Sequence, residues 1–136
     1  MTVQELNKSF RGTLMSHLEI EFTHINDEFI EARMPVNKKK VQPMGYLHGG
    51  ASVALAESVA GAGSMMLIDQ DLYNAYGIQI SSNHIASIRS GDVIARGRLI
   101  HKGNAMHIWD VDITDEQGKL ISTSRISNVI RKKNSE

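Results

Sequence analysis

Residues 48–69 read HGGASVALAESVAGAGSMMLID and form the longest apolar stretch of the sequence. The stretch contains no proline, is rich in alanine and exceeds the usual length of a strand, so it predicts an α-helix. It is long enough to raise the question of a membrane span, but Glu57 near its centre and the interspersed glycine and serine argue against one. A helix that is apolar nearly all round is instead expected to lie buried inside a domain.

The segments before this helix predict a short helix and then a hairpin. Apolar residues recur at helical spacing over residues 3–10, and apolar and polar residues alternate over 18–24 and again over 30–34. Asparagine and aspartate at 26–27 are typical of the turn between two strands. Residues 35–47 contain both prolines and are expected to be irregular.

The second half of the chain predicts four strands, at 73–85, 92–102, 105–114 and 119–131. Turn-forming residues separate the last three from their neighbours, and we expect adjacent strands to form an antiparallel meander. One helix and five or six antiparallel strands predict a single α+β domain over residues 1–136, with the sheet curled around the helix.

The composition excludes several classes of function. The 136 residues carry 15 basic and 15 acidic side chains and no cysteine. A neutral chain offers no general attraction for nucleic acid or for an anionic membrane, and disulfides, thiolate catalysis and zinc fingers are ruled out. The six histidines lack metal-ligand spacing, so no metal is expected. The polar N-terminal stretch MTVQELNKSFRG does not resemble a signal peptide, which favours the cytoplasm.

Glu57 is the strongest candidate for chemistry. A carboxylate in a buried helix is costly unless it is paired, and burial tends to raise its pKa toward the range of a general base. The alternative is that the helix exposes one polar stripe, containing Glu57 and Ser64 seven residues later. The residue types alone leave both interpretations open.

The His48-Gly49-Gly50 sequence at the start of the helix is the second candidate. The first amide groups of a helix have no intrahelical partner, and glycine lets a ligand approach them, so they can stabilise an oxyanion. The alternative is a glycine-rich turn without a ligand. Gln42 lies shortly before and is a possible hydrogen-bond donor. Three lysines at 38–40 indicate either a solvated loop or a phosphate contact.

The spacing between the two candidates has a consequence for assembly. His48 and Glu57 are nine residues apart, which is two and a half helical turns and places them on opposite faces. If both act on one substrate, the site combines two chains.

Residues 42–58, QPMGYLHGGASVALAES, resemble the hotdog-fold acyl-CoA thioesterases of the phenylacetate-type and 4-hydroxybenzoyl-CoA thioesterase (Arthrobacter-type) group. Within that group the likeness is greatest to the 1,4-dihydroxy-2-naphthoyl-CoA hydrolases of menaquinone synthesis. It extends to residues 34–36, to Asn83-His84 and to residues 115–119, and so covers nearly the whole chain.

The resemblance implies a role for each matching residue. Glu57 takes the place of the nucleophile or general base, and the backbone amide of Gly49 that of the group which polarises the thioester carbonyl. Gln42 and His48 match the residues that orient the thioester. It also implies a dimer of dimers with sites between subunits, and no cofactor apart from the coenzyme A of the substrate.

The sequence departs from the family pattern at one position near the candidate site. Many members carry serine or threonine one turn after the glutamate, where this chain has Gly61. The expected contacts with substrate and coenzyme A are Gly50, Ser64, Met65, His84, Arg89, Ser90, Lys102, Gly103 and Arg125. The acyl group is not determined.

These features predict a cytoplasmic acyl-CoA thioesterase acting on an aromatic or medium-sized acyl group, with 1,4-dihydroxy-2-naphthoyl-CoA as one candidate. One alternative is a hotdog protein that binds acyl-CoA without catalysis, which Gly61 keeps open. A hotdog dehydratase is less favoured, because its signature is missing around the helix.

Overall fold

The computed structural model describes residues 1–134. Three helices and six strands follow one another along the chain: α1 (Val3–Ser9), α2 (Leu14–His17), β1 (Glu21–Ile25), β2 (Ile30–Pro35), α3 (Gly49–Leu67), β3 (Tyr73–His84), β4 (Asp92–Lys102), β5 (Met106–Thr114) and β6 (Leu120–Lys132). All strand pairs are antiparallel, and the order across the sheet is β1-β2-β4-β5-β6-β3. The predicted α+β architecture, with six antiparallel strands and one long helix, is confirmed.

The core lies between α3 and the sheet. Alternate residues of β2, β4 and β5 are buried, as their period-two patterns predict, and α3 contacts five of the six strands. Two glycines permit the close approach. A Cβ on Gly63 would overlap the ring of Trp109, and one on Gly97 would lie 2.8 Å from Cγ1 of Val59. Small residues in both layers therefore set the distance between helix and sheet.

Two details of the predicted fold are wrong. The chain forms the extra helical turn α2 before the first strand, so β1 begins at Glu21 rather than near residue 18. Only β4, β5 and β6 form a meander, because β3 pairs with β6 at the far edge of the sheet. The link from β3 to β4 crosses the end of the sheet, where the N–H groups of Ile85 and Ala86 donate to the carbonyl of Ile121. Local strand patterns do not encode which neighbour a strand pairs with.

The expectation that α3 is buried all round is also wrong. The sheet-facing side is buried, but Glu57 is exposed, and Ala54, Ser58, Gly61 and Met65 beside it are half-buried. α3 is long and apolar enough to cross a membrane by length and composition alone. Its buried side belongs to the core of the domain, a location in which apolar helices of this length are common.

The lysines at 38–40 are mostly engaged within the chain. The Lys40 ammonium is buried and donates to the Glu19 carboxylate at 3.0 Å and to the Pro35 carbonyl at 2.9 Å. Lys39 lies 3.1 Å from the same carboxylate, and the Asn37 amide donates to it at 2.9 Å. Led by the Asn37 hydrogen bond, these donors lower the pKa of Glu19 to about 2. Of the three lysines, Lys38 best fits the predicted solvated loop, because it is exposed and the other two contact Glu19.

Candidate active site

The N-terminus of α3 is capped by a histidine. Nδ1 of His48 accepts a hydrogen bond from the N–H of Gly50 at 2.8 Å, and the His48 carbonyl accepts from Ala51 at 2.9 Å. An accepting Nδ1 means that the neutral ring carries its proton on Nε2, which is a free donor on this exposed side chain. The cap thus occupies the amide of Gly50, one of the predicted contact residues, and fixes the tautomer of His48.

The amide of Gly49 is the next donor at this helix end. Within residues 1–134 this N–H donates no hydrogen bond. As the first residue of the helix, Gly49 also lies at the positive end of the helix dipole. A half-buried N–H in this position can stabilise a negatively charged oxygen.

Gly49 faces a small hollow of about 200 Å³ that also contacts Gln42, Tyr46, Ser52 and His84. A Cβ on Gly49 would lie 2.6 Å from Nε2 of His84, so only glycine allows this imidazole to pack directly on the helix start. Nδ1 of His84 lies 3.1 Å from the hydroxyl of Ser122 on β6. The structure therefore brings together three of the predicted residues, Gln42, Gly49 and His84.

Tyr46 is a part of this hollow that the sequence interpretation missed. Arg89 donates to the Tyr46 hydroxyl at 2.9 Å, and its guanidinium lies 4.3 Å from the ring centre. The Tyr46 carbonyl accepts from the N–H of Gln42, which closes the loop before the helix. The available signal was an aromatic residue between Gln42 and His48, two positions before the histidine. Arg89, expected to contact coenzyme A, thus lies beside the rim of the hollow.

Glu57 lies at a second hollow on the exposed face of α3. This hollow has a volume of about 280 Å³, and Met65 and Gly61 contribute to its lining. Within residues 1–134 the Glu57 carboxylate has neither a hydrogen-bond donor nor an ion-pair partner. The burial expected for Glu57 is therefore not supplied by its own chain.

Gly49 and Glu57 do not meet within one chain. Eight residues of helix separate them by about 12 Å along the axis, and they line different hollows. This arrangement agrees with the expectation from helical spacing that a single substrate would need these two groups from different chains.

Ser64 is placed in the core rather than at a site. It is fully buried, and its hydroxyl accepts from Nε1 of Trp109 at 2.9 Å and from the Asn128 amide at 3.0 Å. Nδ1 of His107 lies 2.8 Å away and accepts the proton of Ser64. The alternative prediction of an exposed polar stripe that contains both Glu57 and Ser64 is therefore wrong, because all hydrogen-bonding groups of Ser64 are used inside the fold.

The remaining predicted contacts are dispersed. Through the register of the strands, Lys102 lies in the same row across the sheet as Gly77 of β3. Gly49 packs against His84, which is seven residues or about 23 Å further along β3. Gly103 follows Lys102 in the β4–β5 turn, and Ser90 is exposed just before β4. Arg125 makes a two-pronged pair with Asp110, at 2.7 and 3.0 Å, which raises the pKa of the guanidinium. Asp110 would compete with any phosphate for this side chain.

Metal ligands are not clustered in the described part of the chain. Among residues 1–134 no group of three histidine, aspartate or glutamate side chains is placed to hold a metal ion. The groups available for chemistry are therefore the carboxylate of Glu57, the amide of Gly49, and the polar side chains around the first hollow.

Comparison with known proteins identifies the class to which this fold and site belong. Residues 44–122, which include α3 and the strands β3, β4 and β5, match the thioesterase superfamily. The chain belongs to this family, and it is a thioester hydrolase of the hotdog fold.

Individual relatives match over almost the whole chain. The 1,4-dihydroxy-2-naphthoyl-CoA hydrolase of Escherichia coli K12 is 37% identical over 130 residues, 96% of this chain and 95% of that protein. The proofreading thioesterase EntH of Cronobacter turicensis is 40% identical over 130 residues, 96% of this chain and 94% of that protein. Thioesterase PA1618 of Pseudomonas aeruginosa, solved as a variant with a glutamine replaced by alanine, superposes with a TM-score of 0.96 at 34% identity, covering 98% of this chain and 96% of that one.

Proposed function

We propose that this thioesterase hydrolyses acyl-CoA thioesters in the cytoplasm, with Glu57 of one chain and Gly49 of another acting on the same thioester. The observation that carries the proposal is that two polar groups on α3 make no hydrogen bond within residues 1–134. The Glu57 carboxylate is exposed without a partner, and the Gly49 N–H is unpaired within residues 1–134. A carboxylate and a free helix-start amide are the base and the oxyanion donor that thioester hydrolysis requires.

The chemistry divides between the two helix positions. The thioester carbonyl oxygen accepts from the Gly49 N–H, which stabilises the negative charge that develops as the carbonyl carbon is attacked. Glu57 either attacks that carbon itself or takes a proton from a water molecule that attacks it. The tetrahedral intermediate then collapses, the C–S bond breaks and coenzyme A leaves as the thiolate. If Glu57 attacked, the acyl group remains on it as a mixed anhydride, which a water molecule hydrolyses to the free acid and the Glu57 carboxylate. If water attacked, the free acid forms directly and the proton held by Glu57 passes to the departing thiolate.

Two further side chains orient the substrate in this proposal. His48 offers its Nε2–H because Nδ1 is held by the helix cap, and Gln42 lines the hollow in front of Gly49. Both lie in the half of the site that contains Gly49, so we expect them to contact the carbonyl oxygen and the sulfur of the thioester rather than the remainder of the acyl group.

We expect the second chain to pair along β3. This strand of 12 residues lies at the edge of the sheet, and among the described residues 1–134 it pairs with β6 alone. Tyr76 and Ile78 on it are more than half exposed, at 51% and 56%. Long apolar edge strands are usually covered, and a second copy of the same strand would cover this one. A dimer of dimers remains the predicted higher assembly.

The acyl group is expected to be aromatic or of medium size. Two relatives of this chain are a 1,4-dihydroxy-2-naphthoyl-CoA hydrolase and a proofreading thioesterase. We therefore include 1,4-dihydroxy-2-naphthoyl-CoA among the first substrates to test. A role in menaquinone synthesis follows only if that compound is strongly preferred.

The direct test measures release of free thiol from a panel of acyl-CoAs with aromatic and aliphatic acyl groups. We expect turnover with at least one aromatic or medium-sized member. Tight binding of acyl-CoA without thiol release would contradict the proposal and favour a binding protein.

Mixing two inactive variants tests whether the site is shared. Glu57→Gln and Gly49→Val are co-produced with different affinity tags, and the mixed dimer is isolated. If each site combines two chains, the mixed dimer has one site with both defects and one intact site, so about half of the activity per dimer returns. Mixed dimers as inactive as the two parents would show that Glu57 and Gly49 do not act together across chains.

A further inference from the structure

A third hollow, larger than the two described above, lies between the β1–β2 turn, the C-terminal part of α3 and the strands β4 and β5. Its volume is about 390 Å³, within the range of roughly 300–1,000 Å³ that is typical of small-molecule sites. Most of its lining is apolar, and the side chains involved are those of Ile25, Phe29, Met66, Leu67, Leu99 and Trp109. The hollow therefore has the size and the lining of a ligand site.

This third hollow is separate from the groups of the proposed mechanism. It shares no lining residue with the hollow in front of Gly49 or with the one beside Glu57. Met66 follows Glu57 by nine residues, which is two and a half helical turns and places the two side chains on opposite faces of α3. A molecule bound in the third hollow is therefore on the other side of the helix from the Glu57 carboxylate.

The floor of the third hollow is a tryptophan that is held in one orientation. Nε1 of Trp109 donates to the buried hydroxyl of Ser64 at 2.9 Å, which fixes the indole against α3. Gly63 makes room for the ring, because a Cβ at this position would overlap it. Trp109 is also the one tryptophan of the sequence, so tryptophan fluorescence reports on this hollow directly.

The mouth of the third hollow is formed by the turn between β1 and β2. The side-chain oxygen of Asn26 accepts from the N–H of Glu28 at 2.8 Å and from the N–H of Phe29 at 3.0 Å. The N–H of Asn26 donates to the carbonyl of Phe29 at 3.1 Å. These bonds close the turn across its base, so the backbone of Asp27 and Glu28 is held at the mouth before any ligand arrives.

The mouth carries negative charge that the described chain does not neutralise. Asp27 and Glu28 are exposed, and within residues 1–134 neither carboxylate has a hydrogen-bond donor or an ion-pair partner. Arg96 stacks on the Phe29 ring, with its guanidinium 4.0 Å from the ring centre, but its charge is paired with Glu31 at 2.7 Å. The two carboxylates therefore repel an anion such as a phosphate of coenzyme A and attract a cation.

We propose that the third hollow binds a small organic cation, with its apolar body against Trp109 and Phe29 and its ammonium group at the mouth beside Asp27 and Glu28. Burial of the apolar body supplies the binding free energy, and the ammonium group stays partly hydrated at the exposed mouth. Aromatic rings and carboxylates both attract a cation, so the lining and the mouth favour the same ligand. The proposal goes beyond the proposed function and does not rest on it.

The experiment titrates the intact protein with 4-phenylbutylamine and follows the fluorescence of Trp109, excited at wavelengths that tyrosine does not absorb. The alcohol 4-phenylbutan-1-ol and the anion 4-phenylbutanoate have the same apolar body with a neutral and a negative end. We expect a saturable change with the amine, at a Kd about tenfold below that of the alcohol, and the weakest binding with the anion. Added salt should reduce the advantage of the amine.

A charge variant tests the mouth of the hollow. Asp27→Asn combined with Glu28→Gln should bring the Kd of the amine to that of the alcohol and leave the Kd of the alcohol unchanged. The matched control is Glu21→Gln combined with Asp71→Asn, which removes two exposed negative charges outside the hollow. Retention of the amine preference in this control attributes the preference to the mouth rather than to the net charge of the protein.

A second variant tests the apolar lining. Leu67→Ala shortens a side chain that lines the hollow, and we expect it to weaken the amine and the alcohol alike by severalfold. Leu72→Ala is its control, because Leu72 is an exposed leucine outside the hollow, and should change neither Kd.

Three results would overturn the proposal. Absence of a saturable response from Trp109 would show that the hollow takes no such ligand, including the case in which another chain covers it. Equal Kd values for the three probes, or an amine preference that survives the loss of Asp27 and Glu28, would exclude a site for cations. Binding that acyl-CoA displaces and that Leu67→Ala leaves unchanged would place the probe at the thioesterase site. Each result leaves the proposed function intact, since thiol release is measured separately.

Discussion

Glu19 and Glu57 are both exposed carboxylates, but their polar surroundings differ completely. Glu19 lies between α2 and β1, and Glu57 lies on α3. Three nitrogen donors, from Asn37, Lys39 and Lys40, lie within 3.1 Å of the Glu19 carboxylate. The backbone of Glu19 also adopts a positive φ of 62°, which is uncommon outside glycine. Glu57 lies in regular helix and has no polar partner within residues 1–134. Partners, rather than exposure, distinguish a carboxylate that holds the fold from one that is free for chemistry.

The comparison also changes the interpretation of the lysines. A run of lysines in an irregular loop suggests a solvated surface or a phosphate site, but Lys40 is buried with its ammonium on Glu19 and on the Pro35 carbonyl. A positive charge that is already paired inside the fold is unavailable to a substrate phosphate. We therefore expect other side chains to bind the phosphates of coenzyme A.

The largest expected effect is the loss of activity in Glu57→Gln. The amide keeps the size of the side chain but can neither attack the thioester nor accept a proton from water. We expect turnover with the best acyl-CoA to fall by about 100-fold or more. The midpoint of thermal unfolding should stay unchanged, because Glu57 has no partner to lose in this chain. A variant with near-normal turnover would contradict the role of Glu57.

Glu19→Gln should produce the reverse pattern. The change removes the negative charge opposite Lys39 and Lys40, so the buried ammonium of Lys40 keeps only neutral acceptors. We expect thermal unfolding several degrees lower, with turnover per folded molecule close to that of the parent protein. Lys38→Gln is the control, because Lys38 is exposed and belongs to the same loop. Equal stability of the three proteins would mean that the ion cluster does not hold this loop.

The pH dependence of stability sharpens the same contrast. The donors around Glu19 lower its pKa from 4.5 to about 2, so its contribution to stability is complete above pH 4.5 and is lost as the pH falls toward 2. We expect the difference in unfolding free energy between the parent and Glu19→Gln to be constant from pH 7 to 5 and to shrink below 4.5. Urea unfolding at a series of pH values measures it. A difference that grows on acidification would contradict this assignment.

A buried histidine is expected to respond in a different pH window. Burial, assisted by the charges of Lys102 and His101, lowers the pKa of His107 below 6.5. The unfolded chain then binds more protons than the folded one, so stability falls as the pH drops below 6.5, by at most about 1.4 kcal/mol per pH unit from this group. His107→Gln should flatten this dependence between pH 6.5 and 5. An unchanged slope would show that other groups cause it.

The smallest expected effect is a gain of stability in Gly61→Ala. The added methyl group meets open space and removes the backbone freedom of glycine from the helix, so we expect about 1 kcal/mol of stabilisation. Gly63→Ala is the opposing control, because its Cβ would overlap Trp109. Guanidinium unfolding of both variants tests the assignment. Destabilisation of Gly61→Ala would show that the space is occupied, for example by a second chain.

Much of the fold was predictable because its signals are local. The alternating patterns and turns predicted the last four strands to within one or two residues, and the apolar stretch predicted α3 apart from its ends. The extra turn α2 was missed because Leu18 and Ile20 continue the alternation of β1 backwards. The place of β3 beside β6 was missed because pairing joins residues that are far apart in sequence, such as Ile80 and Ile126.

The candidate site was predictable in its residue types but not in its grouping. Glu57 and Gly49 followed from an ionisable residue in an apolar helix and from glycine at a helix start. The involvement of Ser64 was wrong, because helical spacing gives a direction around the helix and says nothing about the sheet that covers it. For Tyr46 the local signal was an aromatic residue between Gln42 and His48, but its contact with Arg89 depends on packing between segments. The position of Leu14 beside α3 also depends on such packing and has no local signature.

The sequence by itself determined most of the elements, the family and the two positions on α3, Gly49 and Glu57, at which chemistry is expected. These depend on short-range periodicity and on residue types at fixed spacing, which every local segment carries with it. The tertiary structure alone decided that Glu57 is exposed and has no polar partner within residues 1–134, and that Glu19 pairs with Lys39 and Lys40. It also decided that Gly61 lines the same hollow as Leu14 and Met15 of α2. Burial and pairing are properties of contacts between distant segments, and only the folded chain specifies those contacts.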